Sequence, residues 1–191
     1  MKNFQFSNTF LLTGLAGLAV VALLDLLHPG IFLGHDTPDH VARIANFYQS
    51  LSEGNIVPRW AANLNWGYGH PILMFLYPLP SYIASIFRFI GFSFVDSVKL
   101  VFAVSFLASI GTMYLWMKEQ YGREAGIVGS LLYGFAPYRF IDLYVRGAIG
   151  EHVAFVFPPL LGYALLRFAR KQTVGSFTLI ALSTGGLILA H

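Results

Sequence analysis

Long uncharged runs alternate with short charged clusters along this chain. The runs cover residues 3–24, 71–87, 100–117, 125–138, 153–166 and 172–190. A helix that crosses a bilayer needs about 20 predominantly apolar residues, within a range near 17–25. The runs at 125–138 and 153–166 are short by that measure. Each extends by a turn if Arg139, Asp142 and Arg167 face protein or reach toward the headgroups. The pattern predicts an all-α, polytopic transmembrane bundle with spans near 8–27, 98–117, 124–142, 152–168 and 173–190. The first run continues apolar through Leu26 and Leu27 without a clear small-x-small cleavage site. It therefore reads as a signal anchor rather than a cleaved signal peptide. The chain stops at His191 directly after an apolar run, so we expect it to be the N-terminal part of a longer protein.

Between the first two spans the pattern changes. Thr37 followed by Pro38 is a helix-start signal. Val41, Ile44, Tyr48 and Leu51 follow at spacings of 3, 4 and 3, and Gly54 supplies a stop. This predicts an amphipathic helix over 38–53 lying along a membrane surface. A second helix is predicted over 80–90. It follows Pro71, Pro78 and Pro80, and Trp60, Trp66, Tyr68, Tyr77 and Tyr82 lie nearby. Proline kinks an ordinary helix interior, and Trp and Tyr favour the membrane interface. We read 80–90 as an interfacial helix, with an ordinary proline-kinked span as the alternative.

Charge placement decides between those two. Residues 118–124 and 167–172 form short basic loops separated by two spans, so they share a side. Excess Lys and Arg mark the cytoplasmic side, and Lys2 puts the N-terminus there too. An odd number of crossings must then lie between residues 28 and 118, so only one of the two apolar runs in that interval crosses. This topology puts the loop 28–99, the loop 139–152 and His191 outside. Localisation in a bacterial cytoplasmic membrane, multi-pass, is the expectation.

Composition narrows the class. The 191 residues are 56% hydrophobic and only 11% charged, against about 25% charged in an average soluble domain. Too little charge is left to cover a water-soluble surface. The absence of cysteine excludes a disulfide scaffold. The net charge of +3 follows from Lys and Arg in loops and calls for no nucleic-acid partner.

The outer face then collects Arg139, Asp142, Arg146, Glu151 and His152 with His35, Asp36, Asp39 and His40. Asp39 has local duties: it sits in the first helical turn and can pair with Arg43 at i+4. Asp36 precedes the cap and has none, so it is free to point into a cavity; a solvated loop carboxylate is the plain alternative. His35, Asp36, Asp39 and His40 could hold a divalent metal, although the cluster lacks a distant fourth ligand. Arg146 with Glu151 reads either as an ion pair locking two helices or as part of a phosphate and sugar site. Asp142 is a further partner for Arg139, three residues along a helix.

These segments carry a resemblance. Gly34-His35-Asp36-x-x-x-His40, Gly54-x-x-x-Pro58-Arg59-Trp60, Gly67-Tyr68-Gly69-x-Pro71 and Tyr77-Pro78-Leu79-Pro80-x-Tyr82 occur in that order. Tyr133-Gly134-Phe135-Ala136-Pro137-Tyr138-Arg139 and Val145-Arg146-Gly147-x-x-x-Glu151 follow. Together they resemble the bacterial membrane family named for a 6-pyruvoyl-tetrahydropterin-synthase-related domain. Its layout is similar to that of the GT-C superfamily of polyprenyl-phosphate-dependent glycosyltransferases. Two interfacial helices there precede the second span. The resemblance implies that Asp36 is the catalytic acid-base position, although Thr37 stands where an acidic pair is often completed. It implies a polyprenyl-phosphate-linked sugar as donor, with His40, Arg139, Arg146 and Glu151 as substrate-binding residues. The other expectations are a non-catalytic module that binds or transports a lipid-linked glycan, and a structural membrane domain.

Overall fold

The structure is a computed structural model and describes residues 8–191; Lys2 and the start of the first apolar run lie outside the described residues. The described chain is helical. Its only paired extended residues are an isolated bridge between Ala61 and His70. In chain order the helices are α1 (Asn8–Val21), α2 (Thr37–Ser52), α3 (Leu79–Ile90), α4 (Phe94–Tyr121) and α5 (Arg123–Gly134). The short α6 (Pro137–Phe140) runs into a π-helical turn over Ile141–Arg146. Then come α7 (Ile149–Ala154), α8 (Phe157–Arg170) and α9 (Val174–Ala190). Single 3-10 turns occupy Leu24–Leu27 and Pro71–Met74.

Two helical stretches among the described residues are long and apolar enough to cross a membrane. They are Phe94–Tyr121, with 28 residues, and Ile149–Arg170, with 22. The second is bent where Pro158 and Pro159 cannot donate to the preceding turn. The Tyr133 hydroxyl donates at 2.8 Å to the Phe155 carbonyl that Pro159 leaves without a helical partner. Val174–Ala190 is apolar but has 17 residues; a capping box of Thr173 and Ser176 starts it. The helix α3 has 12 residues, a length of about 18 Å, too short to span.

The expected span over 124–142 is not one helix. Its first part, α5, ends at Gly134, because the residue before Pro137 must leave the helical region; Ala136 is extended, with φ −57° and ψ 135°. The expected span at 8–27 likewise ends as α1 at Val21. The Tyr144 hydroxyl donates to the Ala22 carbonyl at 2.7 Å, closing that end.

The helix α4 forms the spine. Its Val98, Val101, Phe102 and Phe106 are almost wholly buried, against Leu143, Ile149 and Val153. Gly126, Ser130 and Gly134 of α5 are its buried residues, spaced by four. A Cβ at Gly134 would lie 2.7 Å from the Ile110 side chain. This stripe of small residues lets the two backbones approach closely. Lys99, also buried, donates to the carbonyls of His28 and Gly30 at 2.7 and 3.0 Å and ties the chain after α1 to α4. A smaller cluster of Phe47, Ala61 and Leu73 anchors the loop between α2 and α3.

Candidate functional site

The site begins at a backbone junction. The His35 N–H donates to the Val145 carbonyl at 2.9 Å, and the Asp36 N–H donates to the Arg146 carbonyl at 3.0 Å. Residues 110 positions apart in sequence are thus pinned by main chain. Gly147 makes the fit possible. It adopts φ +65°, and a Cβ on it or on Gly34 would lie 2.4 Å from the Thr37 hydroxyl oxygen.

Asp36, not Thr37, occupies the cap position of α2, and its side chain makes no capping hydrogen bond. The expected Thr37 cap fails because the Thr37 hydroxyl is buried between Gly34 and Gly147. Asp36 is exposed, and among the described residues its carboxylate accepts no hydrogen bond and forms no ion pair. Asp39 pairs with Arg43 at 3.2 Å. His40 turns inward and is 4% exposed. Burial, and then the Arg43 charge, lower its pKa to about 4, against the opposing pull of Asp36, Asp39 and a hydrogen bond to the Gly147 backbone. The imidazole is therefore neutral near pH 7.

On the other side of the junction, Arg146 is gripped by acids. Its Nη1 donates to Glu151 Oε2 at 2.8 Å and its Nη2 to Glu151 Oε1 at 2.6 Å. This is the bidentate fork that arginine makes best. Nη1 also reaches Asp142 Oδ1 at 3.4 Å and the Tyr138 hydroxyl. Tyr138 donates in turn to Glu151 Oε2 at 2.6 Å. The Glu151 carboxylate holds the Arg146 guanidinium firmly in its charged form. Behind this pair, Asp142 Oδ2 sits 3.2 Å from His152 Nδ1, with both side chains fully buried.

Tyr77 links the two sides. It lies within electrostatic reach of Arg43, Asp36 and Glu151, and burial pushes its phenol pKa up. Its ring fills the space where a Cβ on Gly150 would fall, 2.3 Å away. The His191 ring stacks on it at 5.5 Å between centroids, and His191 Nε2 is 3.9 Å from Glu151 Oε1. A cavity of about 250 Å³ opens beside the Arg146–Glu151 pair, lined by Tyr138, Glu151, Phe155, Pro158, Leu187 and His191.

Three expectations are corrected here. Arg139 does not share the exposed face. It is 2% exposed, donates to Ser109 Oγ at 2.8 Å, and lies over the rings of Phe155, Phe106 and Tyr133 at 4.2, 5.3 and 5.8 Å. Asp142 pairs with Arg146 and His152 rather than with Arg139, because the π turn that starts at Ile141 changes the helical phase. The residues His35, Asp36, Asp39 and His40 do not converge. Among the described residues, no group of three His, Asp or Glu side chains is placed to hold a metal ion.

Sequence reasoning named Asp36, His40, Arg146 and Glu151, but gave Tyr77 and Tyr138 no part in the site. The glycine at 150 was the available signal for Tyr77, since a large ring packed there demands a residue without a Cβ.

A protein of Lactococcus lactis subsp. cremoris (strain MG1363), described as uncharacterized, is 23% identical over 197 residues. The alignment takes in all of this chain and 32% of that relative, so the chain spans about a third of its length. No protein-family model and no solved structure matches the chain.

Proposed function

We propose that this chain is a GT-C-like membrane glycosyltransferase module that uses a polyprenyl-phosphate-linked sugar at the outer face of a bacterial cytoplasmic membrane. The observation that carries the reading is the exposed Asp36 carboxylate, unpartnered among the described residues and held by its backbone against Arg146 and beside Tyr77. A general base must be unprotonated and within hydrogen-bond reach of the proton it takes, and a carboxylate with no internal partner is open to that contact. Asp36 accepts the acceptor hydroxyl's proton as that oxygen attacks the anomeric carbon. The bond from that carbon to the phosphate oxygen breaks, and the lipid phosphate leaves with the electron pair. A single displacement inverts the anomeric configuration. Arg146 supplies positive charge toward the leaving phosphate, oriented by Glu151 and Tyr138. The buried Arg139 and His40 support this face from behind and do not touch substrate.

In this reading α4 and the α7–α8 stretch cross the membrane, as do α1, α5 with α6, and α9. Lys118 and Arg167 face the cytoplasm with the N-terminus. The helices α2 and α3 lie at the outer interface. Sugar transfer from a polyprenyl-phosphate donor by the reconstituted full chain tests the proposal, with Asp36→Asn as the decisive variant.

A second reading has its own observation. Both terminal nitrogens of Arg146 are already taken by Glu151, so the pair can serve as a helix lock in a module that binds a lipid-linked glycan without transferring it. Sugar transfer by the unaltered chain, which the second reading excludes, separates the two.

A further inference from the structure

The helices α2 and α3 diverge to leave a cleft of about 500 Å³, lined by Tyr48, Leu51, Tyr82, Ile86 and Phe89 together with two serines. Its wall is apolar in effect as well as in composition. The Ser85 hydroxyl donates to the Ser81 carbonyl at 2.7 Å, and the Ser52 hydroxyl donates to the carbonyls of Gln49 and Tyr48 at 2.8 and 3.1 Å. Tyr82 sends its hydroxyl out of the cleft to the Ile56 carbonyl at 2.6 Å. Three of the four hydroxyls of the lining, those of Ser52, Ser85 and Tyr82, are thus spent on the protein's own backbone, and an occupant meets mostly hydrocarbon.

The rim says where the occupant comes from. Ile86, Phe89 and Ile90 are 58%, 82% and 65% exposed, and the chain passes from Ile90 through Gly91–Ser93 directly into Phe94, the first residue of α4. The apolar rim therefore stands at the level where the long apolar helix begins. A cluster of exposed large apolar side chains at that level is suited to acyl chains rather than water. One cation marks the same edge. Arg88 lies over the Phe94 ring at 4.7 Å and the Tyr48 ring at 5.9 Å, and donates to the Phe92 carbonyl at 3.0 Å. It forms no ion pair among the described residues. Tyr48 belongs to the cleft wall, so the guanidinium sits at the cleft's end.

We propose that the cleft between α2 and α3 is a lipid site that takes one acyl chain of an anionic glycerophospholipid, with Arg88 at the headgroup phosphate. The inference rests on the membrane reading of α4, but not on sugar transfer. The site keeps α2, and with it Asp36, at a set depth relative to the bilayer.

The test uses the full chain in vesicles of phosphatidylcholine and phosphatidylglycerol, with a tracer phospholipid carrying a diazirine near the end of one acyl chain. Photolysis should label residues 51–52 and 82–89 as well as the exposed Val104 and Leu107 of α4. Filling the cleft by Ser52→Trp, or by Ser85→Trp, should abolish the first labelling and leave the second; the exposed position of Ser52 makes its variant the safer one to fold. With Arg88→Gln, the anionic tracer should label the cleft no better than a zwitterionic one. Labelling of α4 without the cleft, or cleft labelling that survives both tryptophans, overturns the lipid site alone. Equal labelling by the two tracers in the unaltered protein overturns the anionic headgroup. Absence of labelling on α4 as well overturns the membrane reading together with this one.

Discussion

Arg146 and Glu151 meet as a two-pronged pair across the turn that joins the π-helical segment to α7, at 2.8 and 2.6 Å. Arg146 also faces the fully buried Asp142, so one guanidinium answers two carboxylates. Arg146→Gln strands both acids and should lower the melting temperature of the purified protein. Arg146→Lys keeps the charge but not the fork and should recover only part of it. Adding Glu151→Gln to Arg146→Gln should restore part of the loss, because one unpaired carboxylate is removed. If transfer activity returns along with the melting temperature in that double variant, the pair is a lock and no more.

Gly147 should be intolerant of any side chain. Gly147→Ala combines a left-handed backbone, costing about 1–2 kcal/mol, with an overpacked contact costing about 1–3 kcal/mol. Gly54 also has positive φ, at +91°, but open space around it. Gly54→Ala should therefore cost only the first contribution, about 1–2 kcal/mol. Denaturant titration of the two variants measures the difference. Adding Thr37→Ala to Gly147→Ala should narrow it, since the Thr37 hydroxyl is the atom in the way.

His40 makes stability depend on acid. Its folded pKa of about 4 lies below the ordinary 6.5. Between those values the unfolded chain holds the proton and the folded chain does not, so stability falls as pH drops from about 6.5 toward 4 and levels off below. The full loss, for a shift of about 2.5 units, is on the order of 3 kcal/mol. Unfolding titrations from pH 7 to pH 4 should show this slope, and His40→Phe should flatten it. A slope unchanged in His40→Phe would assign it to other groups.

Asp36 and Asp39 should separate by assay. Asp36→Asn should lower sugar transfer by about 10²–10⁴-fold, the usual loss when a general base is removed. Asp39→Asn should leave turnover near normal and cost about 0.3–1 kcal/mol of helix stability. Unchanged turnover in Asp36→Asn would move the reading to the binding module.

Topology is open to single-cysteine labelling, since the sequence contains no cysteine. Cysteines at Asn55 and Ser93 should react from the outside, and one at Lys118 only after permeabilisation. Protection at Ser93 with outside labelling at Lys118 would make α3 a span.

As helices, 38–53 and 80–90 were legible: the first has a start signal, an apolar face and a stop, and the second follows a cluster of prolines. Both appear within a residue or so, at Thr37–Ser52 and Leu79–Ile90. The run at 125–138 misled because hydropathy reports what is apolar but not where the helix breaks. Pro137 carries that information. The burial of Arg139 was hidden for a related reason. A cation beside an apolar run reads as a boundary residue, whereas an aromatic bed of Phe106, Tyr133 and Phe155 accepts it inside. Those rings come from three separate elements, and only the tertiary fold brings them together.

The π-helical winding of Ile141–Arg146 makes the polar face sensitive to chain length rather than to side-chain identity. Each residue advances an α-helix by about 100°, and a π turn absorbs one extra residue without breaking the helix. Ile141 and Val145 point outward, 47% and 49% exposed, and can be exchanged for other apolar residues at little cost. Deleting Val145, which lies between them, lets an ordinary helix close and shifts the phase of Arg146 relative to Asp142. The junction with His35 and Asp36 would then come apart at the backbone. Substitutions here adjust a contact; a one-residue indel dephases the face.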